Sequence, residues 1–465
     1  MKTFRLLIAA LLFAATASAQ RYGGTNGYNR PTTSTADNDT TPVVYMISVQ
    51  ETEQFDNPSS SSSCCPMKQQ IALNNMSACC ARQDYEEVWR TGFQQPQPPT
   101  FIFASKNNRF SLALGGYINL RTSYDFDGAV DNVDFVPADI PMSVNYNNRQ
   151  QFLMDASTSR LYMMAIGNTK KLGRVVVYID ADFRGSTYNR YIPRLRSAYV
   201  SMLGLTVGRD VTTFCDLNAA PTTVDFRGPN AYNLRFSTMI RYEIPFLDDV
   251  MKFGVAAEMP DVSATYNDRF RPLSQRMPDF PMYLQATWGR NNQNHFRASA
   301  VLRNMYFYDT TADKSSSLFG WGVQASGKLN LAYFIDLYFN GVYGKGITPY
   351  LQDLEGLGLD FTPDPMNPAR MQTMPMWGWQ AAAQINIIPT KLSLSGGYSM
   401  VRVEENNGFI SQDQYRQGQY VFGNLFYHIS PKFKIAAEYL YGTRKNMSWA
   451  KNHANRVQLM AQYSF

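Results

Sequence analysis

The sequence predicts an all-β fold: a transmembrane antiparallel β-barrel of about 16 strands, preceded by a polar, disordered to short-helical periplasmic segment. Three observations predict it. The chain ends in a ten-residue stretch of near-perfect alternation closed by an aromatic residue. It opens with a secretory leader, yet no later stretch is apolar and long enough for a membrane helix. Between the two, strands of roughly ten residues recur with their charges on one face.

The terminal stretch places Val457, Leu459, Ala461, Tyr463 and Phe465 on one face and Arg456, Gln458, Met460, Gln462 and Ser464 on the other. A strand with lipid on one side and water on the other requires this two-residue period. A terminal Phe resembles the signal read by barrel-assembly machinery. At the other end, Lys2 and Arg5 precede the apolar run Leu6 to Ala15 and then Ala17-Ser-Ala19, so residues 1–19 read as a cleaved signal peptide. The run is shorter than the ~20 apolar residues of a membrane span. A secreted chain lacking such spans is soluble or a barrel.

Composition favours the barrel. Aromatic residues make up 14% of the chain and charged residues only 17%, below the usual quarter or so. The net charge of +6 includes Lys2 and Arg5, and the remaining excess is too mild for a dedicated nucleic-acid binder.

Residues 20–108 form a polar amino-terminal segment. Its first forty residues are rich in Asn, Thr, Ser and Pro and read as a disordered periplasmic tail. A short helix is expected within 67–89, and Gln94-Gln-Pro-Gln-Pro-Pro99 reads as a linker. Cys64, Cys65, Cys79 and Cys80 form two vicinal pairs. Adjacent cysteines lack zinc-finger spacing, and an oxidising envelope favours disulfides within or between chains; four cysteines allow three pairings. Cys215 is the odd fifth and is expected to be a free, buried thiol.

The barrel is expected over residues 109–465. Residues 174–184 set Val175, Val177, Ile179 and Ala181 against Arg174, Tyr178, Asp180, Asp182 and Arg184. Residues 234–244 and 433–444 behave likewise. A charge on the lipid face costs a few kcal/mol near the midplane, so this segregation is what a barrel needs. Tight turns are expected near 169–173, 203–206, 246–250, 289–295, 329–331, 388–391 and 430–432. Longer links are expected near 125–150, 185–192, 209–233, 259–281, 307–318, 345–375, 403–417 and 445–452. That alternation joins sixteen strands with both ends at the periplasm, and such a barrel is too wide for its strand side chains to fill.

No enzymatic, metal or cofactor constellation emerges. His295 falls in an expected tight turn, His428 near a strand end and His453 at a strand start. The functional expectation rests on the lumen face. Arg160, Arg194, Arg196, Arg235, Arg241, Arg297 and Arg303 are expected on strands, with Asp180, Asp182 and Glu258 also inward. A ring of arginines in a pore attracts anions, and guanidinium grips carboxylate with two prongs. The competing expectation is that these arginines pair with Asp180, Asp182 and Glu243 and only rigidify the wall. The link 209–233, carrying Asp216, Asp225 and Arg227, is too long for a simple turn and is expected to fold inward as a constriction loop. An alternative function is a structural or adhesive surface protein with a plugged lumen. A plug domain of the kind found in energised transporters is not expected, because residues 20–108 are too few and too polar.

Arg194-Leu-Arg-Ser-Ala-Tyr199, Gly208 to Phe214, Ala220-Pro-Thr-Thr-Val-Asp-Phe-Arg-Gly-Pro229, Arg235 and Arg241-Tyr242 resemble the DcaP-like family of trimeric outer-membrane porins. Gly116-Tyr117-Ile118 and Ser159-Arg160-Leu161 fit as well. The resemblance is firmest over about 110–245. It implies a sixteen-stranded barrel in the outer membrane of a Gram-negative bacterium, a homotrimer among its lipids, and uptake of small anionic solutes such as dicarboxylates. It also implies pore-lining roles for Arg160, Arg194, Arg196, Arg235 and Arg241. Arg209 and Val211 stand where the family tends to show Gln and Trp, and residues 66–90 show a short helix where the family has a coiled coil. The Asn-, Gln- and Tyr-rich style resembles outer-membrane proteins of the Bacteroidetes.

Overall fold

The structure, a computed structural model, describes residues 44–48, 75–105, 109–130, 132–143, 145–185, 191–332 and 334–465. The expected signal peptide, most of the polar tail, and Cys64 and Cys65 lie outside the described residues, as do the side chains of Cys79 and Cys80.

Sixteen antiparallel strands form the wall. They are β1 (Phe110–Asp127), β2 (Arg160–Thr169), β3 (Gly173–Asp182), β4 (Arg194–Met202), β5 (Leu205–Val211), β6 (Phe236–Phe246), β7 (Met251–Glu258) and β8 (Phe280–Trp288). Then come β9 (Asn294–Asp309), β10 (Lys314–Ala332), β11 (Ile335–Lys345), β12 (Pro375–Ile388), β13 (Leu392–Val403), β14 (Tyr415–His428), β15 (Phe433–Asn446) and β16 (Lys451–Ser464). Each pairs with the next, and β16 closes on β1 with Tyr463 opposite Ile118 and Gln458 opposite Ser123. Closure leaves no unpaired edge, the condition for burying strands in lipid.

The expected faces are observed. In β16, Arg456, Gln458, Met460, Gln462 and Ser464 are buried inside, while Leu459 and Tyr463 are exposed outward. The seven tight turns lie where expected, save that β10 runs on to Ala332 and β11 begins at Ile335, so that turn comes a few residues late. The β4–β5 turn needs left-handed backbone at both central residues, Leu203 and Gly204, the geometry that matches strand twist.

Two of the eight outer links differ from expectation. Those near 307–318 and 445–452 are four-residue turns, 310–313 and 447–450. The β9–β10 ladder continues to Asp309 opposite Lys314, and the β15–β16 ladder to Lys445 opposite Lys451. Beyond the bilayer both faces of a strand meet water, so alternation fades although pairing continues.

Three outer links fold into the barrel. Residues 128–130, 132–140, 212–235 and 346–361 are largely buried. Ile347, Tyr350, Leu351, Leu354 and Leu359 pack with inward Val301, Val342, Met376, Val401 and Val403 into an apolar core on the β9–β13 side. Phe135 and Ile140 pack on Tyr420, Phe422 and Leu440 of β14 and β15. The amino-terminal segment also contributes. Helix α1 (Asn75–Val88) sets Tyr85 against the inner faces of β2 to β4. A strand, Phe101–Ser105, pairs with Ser111–Leu114 of β1, just below the point where β16 leaves that edge at Tyr117. The run Gln94–Pro99, expected to be a linker, begins inside the lumen.

Candidate functional site

The site is a water-accessible cavity of about 440 Å³ in the outer half of the lumen, against β3 to β7. Six arginines line it: Arg184, Arg194, Arg196, Arg209, Arg227 and Arg235, facing Asp134, Asp261 and Glu355. Two-residue spacing brings Arg160, Asp180 and Asp182 to the inner face of β2 and β3. A bulge opposite Asp180 and Ala181 lets both Arg194 and Arg196 of β4 reach Asp182. Arg194 Nη2 lies 2.6 Å from Asp182 and Arg196 Nη1 lies 3.0 Å from it.

The arginines expected in the pore therefore differ in use. Arg160 is buried in a two-pronged pair with Asp180, Nε at 2.6 Å. Arg241 is buried on Asp210 at 2.8 Å. Arg194 stays 43% exposed at the cavity. Arg235 lies one residue before β6, at the end of the inward loop and not on a strand as expected, with its guanidinium 5.1 Å from the Tyr350 ring. Arg303 is wholly buried between Asp279 and Asp360, at 3.0 Å from each. Pairing and exposure at the cavity thus coexist. Arg121 Nε and Nη1, Arg196 Nε and Arg235 Nη1 are buried donors with no protein acceptor. A buried donor without a partner is costly, so these groups call for water or an anion.

The loop 212–235 crosses the lumen from β5 and β6 to the opposite wall. Glu438 of β15 accepts the backbone N–H groups of Val224 and Asp225 at 3.0 and 2.6 Å. Tyr420 donates to Asp225 at 2.9 Å. Asp216 accepts from Ser326 at 2.7 Å and lies 2.8 Å from His295 Nε2. His295 is thus the second residue of β9 and a loop anchor, not part of a turn. Of the three loop residues expected at a constriction, Asp216 and Asp225 are almost fully buried anchors, whereas Arg227 lines the cavity and pairs with Glu355 at 3.0 Å. Burial and the neighbouring Asp134 push the Asp225 carboxyl up to about 6. Burial opposes ionisation of Asp134 too, but Arg184 at 2.6 Å outweighs it and holds that carboxyl below the usual range. Cys215 is a free, buried thiol, as expected, and burial pushes it up to about 12.

Phe226, at the cavity floor, is a residue that periodicity does not reveal. Arg121, Arg184 and Arg196 hold their guanidinium carbons 5.1, 5.4 and 5.0 Å from its ring centre, within cation–π range. Beside it sits Gln94. Both also line a smaller inner cavity of about 80 Å³ with Arg121 and Lys434. A further cavity of about 210 Å³ carries Arg90, Arg241, Lys252 and Arg297. Cationic groups therefore continue on the inner side of this neck. The signal for the inward links was present as large apolar residues in stretches read as loop: Phe135, Phe226, Tyr350 and Leu354.

Residues 104–465 match the family described as DcaP outer membrane protein. The chain belongs to that family. The crystal structure of the outer membrane channel DcaP of Acinetobacter baumannii superposes with a TM-score of 0.67 at 20% identity, covering 78% of this chain and 99% of that one. In-vitro folded OmpT, an outer membrane protein of Vibrio cholerae, gives 0.50 at 12% identity, covering 77% and 99%. An anion-selective porin from Comamonas acidovorans gives 0.50 at 11% identity, covering 77% and 100%. No curated protein matches the sequence. The protein is thus an outer-membrane β-barrel of a channel family, as its sequence predicts.

Proposed function

We propose that this DcaP-family member is a porin that passes small hydrophilic solutes with a preference for anions such as dicarboxylates, working as a homotrimer among outer-membrane lipids. The observation that carries the reading is the outer cavity, where six arginines face three acids and buried N–H groups of Arg196 and Arg235 lack a protein acceptor. Such a wall lowers the barrier for anions and raises it for cations. The trimer rests on the resemblance of the 110–245 region to its family.

The test is a reversal-potential measurement in planar bilayers across a salt gradient. Anion selectivity is expected, and Arg194→Ala with Arg196→Ala should reduce it. Unchanged selectivity would remove both residues from the pathway. The alternative of a plugged, non-conducting surface protein gains one specific observation: residues 89–97 lie within the lumen.

A further inference from the structure

We infer that residues 89–97 are a built-in plug, which constricts the pathway when seated and widens it on leaving. The segment enters from α1 at the periplasmic side. That helix is tied to the β2–β3 end of the wall by Arg174, which lies 2.8 Å from Asp84 and 2.9 Å from Glu87, and by Tyr85 donating to the Met164 carbonyl at 3.1 Å. Trp89 then lies against Tyr162 and Tyr178, with ring centres 5.1 and 6.3 Å away. Arg90 pairs with Asp210, the carboxylate that Arg241 also holds.

Phe93 packs edge-on against Tyr232 at 5.1 Å, and its N–H donates to the Leu217 carbonyl of the inward loop at 2.7 Å. The chain reaches that carbonyl only because residue 92 is glycine: φ is +122°, and a Cβ there would run into Leu217. Gln94 comes next. Its main-chain oxygen accepts from Arg160, and its side-chain oxygen accepts from Arg196 at 2.8 Å. Gln97 finally accepts from Tyr162 at 2.8 Å and donates to the Pro431 carbonyl near the β14–β15 turn at 3.1 Å.

The segment thus runs across the lumen from Asp210 on β5 to the turn before β15. Gln94 and Phe226 together separate the outer cavity from the inner one, and Arg90 lines the third. Two arginines of the expected pore wall are engaged by Gln94, whose oxygens take the place a solute carboxylate would occupy. The region shared with the family begins at residue 104, so the plug lies outside it. The segment carries Pro96 and belongs to no sheet, so its departure breaks no ladder. The assignment of Gln94 as a stand-in for solute rests on the anion reading; the constriction itself does not.

The test compares full-length wild type with the full-length triple variant Arg90→Ala, Phe93→Ala and Gln94→Ala in planar bilayers. Single-channel conductance should rise by about threefold or more in the variant, since pore cross-section sets conduction. Equal conductance in two folded proteins would overturn the plug. A conducting variant without anion preference would instead overturn the anion reading and leave the plug standing. No conductance from the folded variant would overturn both the plug and the porin reading. Limited trypsin digestion of the folded wild type keeps the proposal falsifiable should the variant not fold. The bond after exposed Arg82 should be cut and the bond after Arg90 protected; equal cleavage at both would overturn the seated plug.

Discussion

Replacing Arg303 with methionine should be among the most damaging single changes to the barrel interior. Arg303 sits on β9 with none of its side chain exposed. Its Nε donates to Asp279 at 3.0 Å, its Nη1 to the Gly346 carbonyl at 2.6 Å and to Asp360 at 3.0 Å, and its Nη2 to the Asp261 carbonyl. One guanidinium therefore fastens two outer links, 259–279 and 346–374, to one strand. Arg303→Met keeps the bulk and strands two carboxylates that are 1% and 0% exposed. Breaking one buried pair by removing a partner costs about 3–5 kcal/mol. Two pairs share this arginine, but Asp360 keeps N–H donors from Thr348 and Ser263 at 2.9 Å, and Asp279 keeps Tyr350 at 2.9 Å. The expected cost for the single change is therefore about 4 kcal/mol, within the range for one broken pair and not double it. It is read as a lower unfolding midpoint in denaturant for the detergent-folded barrel. The triple variant Arg303→Met, Asp279→Asn, Asp360→Asn removes the stranded charges and should recover most of the loss. An Arg303→Met midpoint equal to wild type, or no recovery in the triple variant, would refute the argument.

Other outcomes follow from the inward loop. Asp225 is pushed up to about 6 by burial and by Asp134, so the folded state binds its proton more readily than the unfolded chain does. Stability should therefore rise as pH falls from about 7 to about 4, by no more than about 1.4 kcal/mol per pH unit, and Asp225→Asn should flatten that slope. An identical slope in the variant would exclude Asp225 as the source. Cys215, with its thiol pushed up to about 12 and 3% exposed, should resist iodoacetamide in the folded barrel and react in urea, read by mass spectrometry of its peptide. Rapid labelling of the folded protein would mean that the loop 212–235 leaves its seat.

Much of the wall is legible because a barrel strand obeys one local rule. A period of two, charges on one face and a short turn every other connection locate Arg160, Asp180, Asp182, Arg196 and Arg241 on the inner surface without reference to any other strand. The lumen contents obey no local rule. Glu438 holds the backbone of Val224 and Asp225 from more than two hundred residues away, and nothing in the Lys434 to Arg444 alternation names that partner. The same is true of Gln94 on Arg160 and Arg196. The two misread outer links fail for a different reason. Past the bilayer a ladder can continue with polar residues on both faces, so Ser315, Ser316 and Ser317 read as loop while they pair with Tyr308, Phe307 and Tyr306.

One asymmetry ties these observations to the pathway. On the β9 to β13 side the inner wall turns apolar near the outer end, with Val301, Val342, Met376, Val401 and Val403 facing in. Apolar side chains in a wide lumen would sit in water at about 25 cal/mol per Å², so they draw in a link that is itself apolar, 346–361, and that side fills. On the β3 to β7 side the inner wall carries Arg194, Arg196 and Asp182, and the short strands β4 and β5 offer little apolar surface for a link to cover. That side stays unfilled, and the outer cavity lies against it. On the proposed porin reading, the passage is placed by which strands are apolar on their inner face, and its charge by the strands that are not. Reversing one inner position should move the boundary: Val401→Arg on the filled side should expel the link around Leu351 and open a second water-filled space, visible as raised conductance even with the plug seated. Unchanged conductance from a folded Val401→Arg barrel would show that the filling does not depend on the wall beneath it.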